Sequence, residues 1–210
     1  MLRIYLVRHA ESEINVSPKL EKICGRCYDA PLTKKGVEQA VKLGERIAKN
    51  KIVFDEIYSS VAVRAFDTAK LACGDKKIIT SDELVEQGQG DWDGLDRDKT
   101  YTPEVMKQMD SQHVNFSAPK GESLKQAGQR LFDFITKIRN SSTKDEKDSK
   151  KDRTIAIFSH QGAIKGLLHV MFDFKGEYVW LIGHNNTNIT EIKIDNKGYH
   201  LVRLNDYSHL

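Results

Sequence analysis

The sequence predicts an α/β fold, a three-layer sandwich in which a mostly parallel central sheet carries helices on both faces. Three observations carry that expectation. Short unbroken apolar runs at residues 4–7 and 154–158 read as strands covered on both sides. Stretches of helical period alternate with the strand-like runs along the chain. A length of 210 residues suits one domain of the larger kind, so residues 1–210 are expected to form a single unit that buries most of its core side chains.

In chain order, residues 4–7 are bounded by Arg3 and Arg8, which leaves Arg8 and His9 at the carboxyl end of the first strand. From 34 to 49, apolar or small residues recur at Val37, Ala40, Val41, Gly44, Ile47 and Ala48, the spacing of one helical face, with Thr33 as the cap. Residues 54–58 read as the next strand, and Ser59-Ser60 as the cap of a helix carrying Val61, Arg64, Ala65, Thr68 and Ala69. Pro119 and Gly121 mark a loop before a second strong helix at 123–139, whose face is Leu124, Ala127, Leu131, Phe134, Ile135 and Ile138. Residues 139–153 are almost all charged or small polar, cannot bury apolar surface, and are expected to form a flexible loop. The 154–158 strand runs into Ser159-His160-Gln161-Gly162 and a helix-like stretch through Phe172. Residues 189–194 and 199–204 alternate around Asn196-Lys197-Gly198, the pattern of a closing β-hairpin.

Composition narrows the function classes. Lys and Arg total 33 against 30 Asp and Glu, and a net charge of +3 is too small to argue for nucleic-acid or membrane binding. Arginines cut the N-terminal apolar run before it reaches signal-peptide length, and no later run could span a bilayer, so the cytoplasm is the expected compartment. Cys24, Cys27 and Cys73 cannot all pair within one chain, and reduced thiols are the simplest reading. The Cys24-x-x-Cys27 spacing could mark a redox pair or half a zinc site. No second C-x-x-C or close histidine pair completes four ligands, and the pair lies outside a thioredoxin-like strand-to-helix turn.

Two strands end alike, one in Arg8-His9 and the other in Ser159-His160. Ligands of parallel α/β sheets bind beyond the carboxyl ends of strands, so both histidines stand where chemistry is usually done. Phosphoryl transfer needs a nucleophile, neutralisation of the phosphoryl oxygens and a proton for the leaving oxygen. A neutral His9 can be the nucleophile, Arg8 and Arg64 offer planar donor forks for an anion, and His160 adds a donor. Such a set requires no metal and no other cofactor.

Residues 6–15, Leu-Val-Arg-His-Ala-Glu-Ser-Glu-Ile-Asn, resemble the signature of the histidine phosphatase superfamily, the phosphoglycerate-mutase-like proteins. Further blocks follow in family order: Asp29-Ala30-Pro31-Leu32-Thr33 with Gly36, Ser59-Ser60 with Arg64-Ala65, Leu84-Val85-Glu86 with Gly90-Asp91-Trp92, Gly121-Glu122-Ser123 with Arg130, and Ser159-His160 with Gly162. The resemblance implies that His9 is phosphorylated, that Arg8, Arg64 and His160 bind phosphate, that Asn15 assists, and that Glu86 donates the proton. It departs from the usual pattern at Ala10 and Gln161, where glycines are common. Gln161 would narrow the substrate pocket or add an amide contact, and Arg26 would reach the substrate's anionic groups.

The expected activity is hydrolysis of a small phosphorylated metabolite. A phosphoglycerate mutase is the nearest alternative, but the 94–121 segment is short for the covering insertion of the mutases. A silent phospho-ligand-binding scaffold and a redox protein built on Cys24 and Cys27 rank lower, because the reactive set is complete. Phe66, Tyr101 and Phe116 are left as residues that either line a pocket or pack.

Overall fold

The computed structural model describes residues 1–16, 18–141 and 152–210. Its strands are β1 (Leu2–Arg8), β2 (Glu56–Ser60), β3 (Ile78–Ser81), β4 (Arg153–Ser159), β5 (Ile189–Asp195) and β6 (Gly198–Asp206). The helices are α1 (Lys34–Lys49), α2 (Val63–Cys73), α3 (Arg97–Thr100), α4 (Pro103–Gln112), α5 (Leu124–Ser141), α6 (Gln161–Phe172) and α7 (Gly176–Val179). Six strands form one sheet in the order β3-β2-β4-β1-β5-β6. The β1–β4, β2–β4 and β2–β3 pairs are parallel, and the β5–β6 hairpin joins the sheet antiparallel to β1.

Side chains of β1 and β4 alternate between two cores, as strands buried on both faces must. Leu2, Ile4, Leu6, Ile155 and Ile157 pack with Leu131, Ile135, Ile164 and Leu167 of α5 and α6. Tyr5, Val7, Ala156 and Phe158 pack with Leu43, Ile47 and Ala69 of α1 and α2. Helices therefore cover both faces, as predicted. Glycine sets the distance between α5 and α6: a methyl at Gly128 would run into the backbone of Gly166, so the two helices touch through bare Cα atoms.

Capping follows local chemistry. The Thr33 hydroxyl accepts the Gly36 N–H at 3.0 Å, and Ser123 with Gln126 exchange bonds of 2.8 and 3.1 Å in a capping box at the start of α5. Three details differ from the sequence reading. On α1 the buried face is Gly36, Gln39, Ala40, Leu43 and Ile47, while Val37 and Val41 are exposed, because Gly36 must pack against the backbone of Glu11. Ser59 and Ser60 end β2 instead of capping α2, whose cap is Ala62. Helix α5 runs on to Ser141, and the rest of the predicted charged loop, 142–151, lies outside the described residues.

Candidate active site

The parallel register sets the carboxyl ends of β1 and β4 side by side, Arg8 opposite Ser159. The next residues of both strands, His9 and His160, are buried, with ring centroids 5.2 Å apart. The two histidines are 151 positions apart in sequence, so strand pairing alone brings them together.

His9 Nδ1 lies 2.7 Å from the Ala10 carbonyl. A carbonyl only accepts, so we assign the ring proton to Nδ1, which leaves the Nε2 lone pair free. Burial and the charges of Arg64 and Arg8 hold His9 well below its ordinary 6.5, so it stays neutral at physiological pH. His160 is neutral for the same reasons. Its Nε2 lies 2.9 Å from the Ser60 hydroxyl, which already accepts the Ala62 N–H at 3.2 Å. We assign the Ser60 hydroxyl hydrogen to Nε2, which places the His160 proton on Nδ1.

Arg64, in the first turn of α2, is only 1% exposed. Its terminal nitrogens donate to the backbone carbonyls of Cys27 and Gly25, the latter at 3.4 Å, and Arg8 donates to the carbonyl of His184. Among the described residues neither guanidinium has a carboxylate within ion-pair range. Burial pulls Arg8 down to about 10, with Arg64 pushing the same way, and Arg64 is lowered by burial; both remain charged. Arg8 Nε, Arg64 Nε and His160 Nδ1 are buried and have no partner among the described residues. Buried donors are almost always paired, and buried charges are paired or hold an anion. Such a group can receive anionic oxygens beside a neutral imidazole.

Glu86 meets the same site from the other side. Its carboxylate accepts three backbone N–H groups, from Gln87 at 2.8 Å, Ala163 at 3.0 Å and Gly162 at 3.1 Å, the last two in the first turn of α6. Arg130 grips the preceding segment through the carbonyls of Glu83 and Val85, and Ser159 Oγ holds Leu84. The other carboxylates of this segment are engaged elsewhere: Glu83 with Lys137, Asp91 with Lys120, and Asp93 with the Gly25 N–H.

A family model, the histidine phosphatase superfamily (branch 1), matches residues 4–207. The chain belongs to that superfamily. Phosphoserine phosphatase 1 of Hydrogenobacter thermophilus is 24% identical over 100% of this chain and 95% of its own length. A 2,3-bisphosphoglycerate-dependent phosphoglycerate mutase of Pelagibacter ubique is 29% identical over 94% of this chain and 92% of its own. The crystal structure of a phosphoserine phosphatase from Entamoeba histolytica, a histidine-to-alanine mutant in complex with phosphoserine, superposes with a TM-score of 0.83 at 25% identity, covering 100% of both chains. Superfamily membership and these relatives make the chain an enzyme of the phosphatase type, on the phosphoglycerate-mutase-like fold.

The remaining residues named from the sequence are placed less centrally. Asn15 Oδ1 accepts from the Ser12 N–H at 3.0 Å, so its amide closes a 3-10 turn, as a cap does. Gln161 is the first residue of α6, partly exposed beside His160. Arg26 pairs with Glu122 at 2.9 Å, and its Nε lies 3.4 Å from the Glu86 carbonyl. Ala10 is fully buried without a positive φ, so its methyl strains nothing. The reduced-thiol expectation is corrected: Cys24 and Cys27 are bonded to each other, and only Cys73 is free. The turn between them brings their Cα atoms to 5.8 Å, within disulfide reach, and presents the Gly25 and Cys27 carbonyls to Arg64.

Sequence reasoning missed the residues behind the nucleophile. Asn186 Nδ2 donates to the His9 carbonyl at 2.9 Å, and the Thr187 N–H to that of Arg8 at 3.1 Å. The Ala10 N–H donates to Thr68 Oγ1 at 2.9 Å, and Thr68 in turn to the Arg64 carbonyl at 2.6 Å, tying β1 to α2. Buried Lys165 and His184 flank Arg8. Thr68 belongs to the helical face and family block around Arg64 but carries no sign of this bond, and nothing in the local sequence marks the others.

Proposed function

We propose that the chain hydrolyses small phosphomonoesters through a phosphohistidine on His9, working as one domain in the cytoplasm, where small phosphorylated metabolites are held. The observation that carries this is the convergence of three unpartnered buried donors, Arg8 Nε, Arg64 Nε and His160 Nδ1, on a neutral His9 whose Nε2 is unprotonated. Arg8, Arg64 and His160 bind the phosphoryl oxygens, and the free amide nitrogen of Asn15 adds a donor. Nε2 of His9 forms the N–P bond as the P–O bond breaks, and Glu86 gives its proton to the departing alkoxide. Water then attacks phosphorus, losing its proton to Glu86, and the N–P bond breaks to return neutral His9 and inorganic phosphate. Gln161 and Arg26 border the substrate on the leaving-group side.

The mutase reading draws on relatives of that activity. Against it stands the 94–121 segment, whose helices α3 and α4 bury no residue of their own and make a poor seal against water. Product analysis with 3-phosphoglycerate decides between them. Free phosphate and glycerate are expected; rapid conversion to 2-phosphoglycerate with little phosphate would establish the mutase instead.

A further inference from the structure

Beside the reacting centre lies a cavity of about 170 Å³ walled by Trp92, Tyr101, Phe116 and Trp180, with Met109 among them. Two of its remaining walls are continuous with the catalytic machinery. Gln87 follows Glu86 and donates its N–H to that carboxylate, and Cys24 precedes Gly25, whose carbonyl accepts from Arg64. The cavity thus adjoins the segments that hold Glu86 and Arg64, within reach of an alcohol bound at Glu86.

The rings are not core. None of the four belongs to any of the buried hydrophobic clusters, and Trp180 is 43% exposed. They contact one another at cavity-lining angles, Trp92 edge-on to Tyr101 at 5.9 Å and tilted against Phe116 at 5.7 Å. With no buried residue, α3 and α4 add little to the core; they and the residue just after α3 supply Arg97, Tyr101 and Met109 to this wall. Ligand pockets are characteristically aromatic and apolar with few polar groups. Among the described residues the cation on the wall is Arg97, whose Nε is held by the carbonyls of Leu20 and Lys22 and whose guanidinium rests on the Tyr101 ring at 5.9 Å. Arg26 is likewise taken by Glu122. A carboxylate-bearing alcohol such as serine or glycerate gains little here, whereas a flat ring meets aromatic faces on several sides.

We propose that the substrate is the phosphate monoester of an alcohol that carries an aromatic ring, with the ring seated among Trp92, Tyr101, Phe116 and Trp180. The volume holds the equivalent of about six waters, the size of a single ring on a short linker. This rests on the phosphatase reading above, and it names the substrate class of that same site.

The test compares kcat/KM for 2-phenylethyl phosphate and ethyl phosphate on the purified full-length protein, with O-phosphoserine and 3-phosphoglycerate alongside. The two alkyl esters have similar leaving groups, so their ratio reads the ring alone. The ratio is expected to exceed tenfold, with 2-phenylethyl phosphate also ahead of phosphoserine and 3-phosphoglycerate. Trp92→Ala and Phe116→Ala are each expected to bring the ratio below threefold. Because both esters are assayed on one preparation, loss of folded protein leaves the ratio unchanged. A wild-type ratio near one, an unchanged ratio in both variants, or preference for phosphoserine or 3-phosphoglycerate would overturn the assignment while leaving the phosphatase reading intact. Failure to turn over any ester would overturn both.

Discussion

A methyl group at Gly162 tests the acid without touching it. A Cβ there would stand 2.5 Å from Glu86 Oε1 and 3.3 Å from its carboxyl carbon. Carbon–oxygen contacts relax at about 3.3 Å, so the carboxylate must withdraw by about 0.8 Å. It can yield, being the end of a flexible side chain, but it then weakens its bonds to the Gly162 and Ala163 N–H groups, 3.1 and 3.0 Å long. Misplacement of a catalytic group by about an ångström costs on the order of a hundredfold, at the lower end of what a positioned acid contributes. Gly162→Ala is therefore expected to lower kcat/KM for alkyl phosphates by about a hundredfold. For p-nitrophenyl phosphate, whose leaving anion needs no proton, the loss should stay below about tenfold. Glu86→Gln should show the same split. Steady-state assays of phosphate release and nitrophenolate absorbance measure both. Equal losses on the two substrates would show that the phosphate cradle had been disturbed, and no loss on either would remove Glu86 from the role of acid.

Other outcomes follow from the same geometry. His9, His160 and His184 are kept neutral by burial, His184 as low as about 3, whereas the unfolded chain protonates them near 6.5. The unfolded state thus binds more protons below that pH, so their contribution to stability is intact above about 6.5 and is lost as pH falls toward the folded values, at about 1.4 kcal/mol per pH unit for each group. Thermal melts without phosphate should show Tm dropping steeply between pH 6.5 and 5, and His184→Asn should remove about one quarter of the slope, since half-buried His209, pulled down to about 4 by burial, is a fourth such group; a flat profile would contradict the buried neutral set. Ser60→Ala removes the hydroxyl that holds the His160 tautomer and should lower kcat/KM by about three- to tenfold, the worth of one neutral hydrogen bond, with a weaker grip on vanadate measured as a raised inhibition constant. EDTA should leave turnover unchanged, and a requirement for added divalent metal would overturn the arginine-and-histidine cradle.

Much of the architecture was legible because its signals are local. Unbroken runs such as Ile155, Ala156, Ile157 and Phe158 arise only where both faces of a strand are covered, and Thr33 and Ser123 mark helix starts by side-chain chemistry. The face of α1 was misread by one position because close packing at Gly36, a tertiary constraint, outweighed the exposed valines. Strand β3, four residues at the sheet edge, and helices α3 and α4, without buried residues, carry too little periodicity to register. His9 and His160 stood out by their position after apolar strands. Arg64 looks like any surface arginine on a helix until the fold buries it, so its candidacy as an anion donor leaned mainly on the resemblance. Ser60, Asn186 and Thr187 act through contacts to partners 100 to 179 positions away, or through their backbone, and leave no local trace of them. The Cys24–Cys27 bond escaped because composition argued for reduced thiols while loop geometry brought the sulfurs together.

Rapid acid-free quenching of the enzyme during turnover of a radiolabelled phosphomonoester, followed by peptide mapping under alkaline conditions, tests the central claim most directly. A single acid-labile, alkali-stable label on His9 is expected, attached through Nε2, because Nδ1 is engaged with the Ala10 carbonyl. Label on a serine or on His160, or normal turnover of His9→Ala with no labelled enzyme, would contradict it.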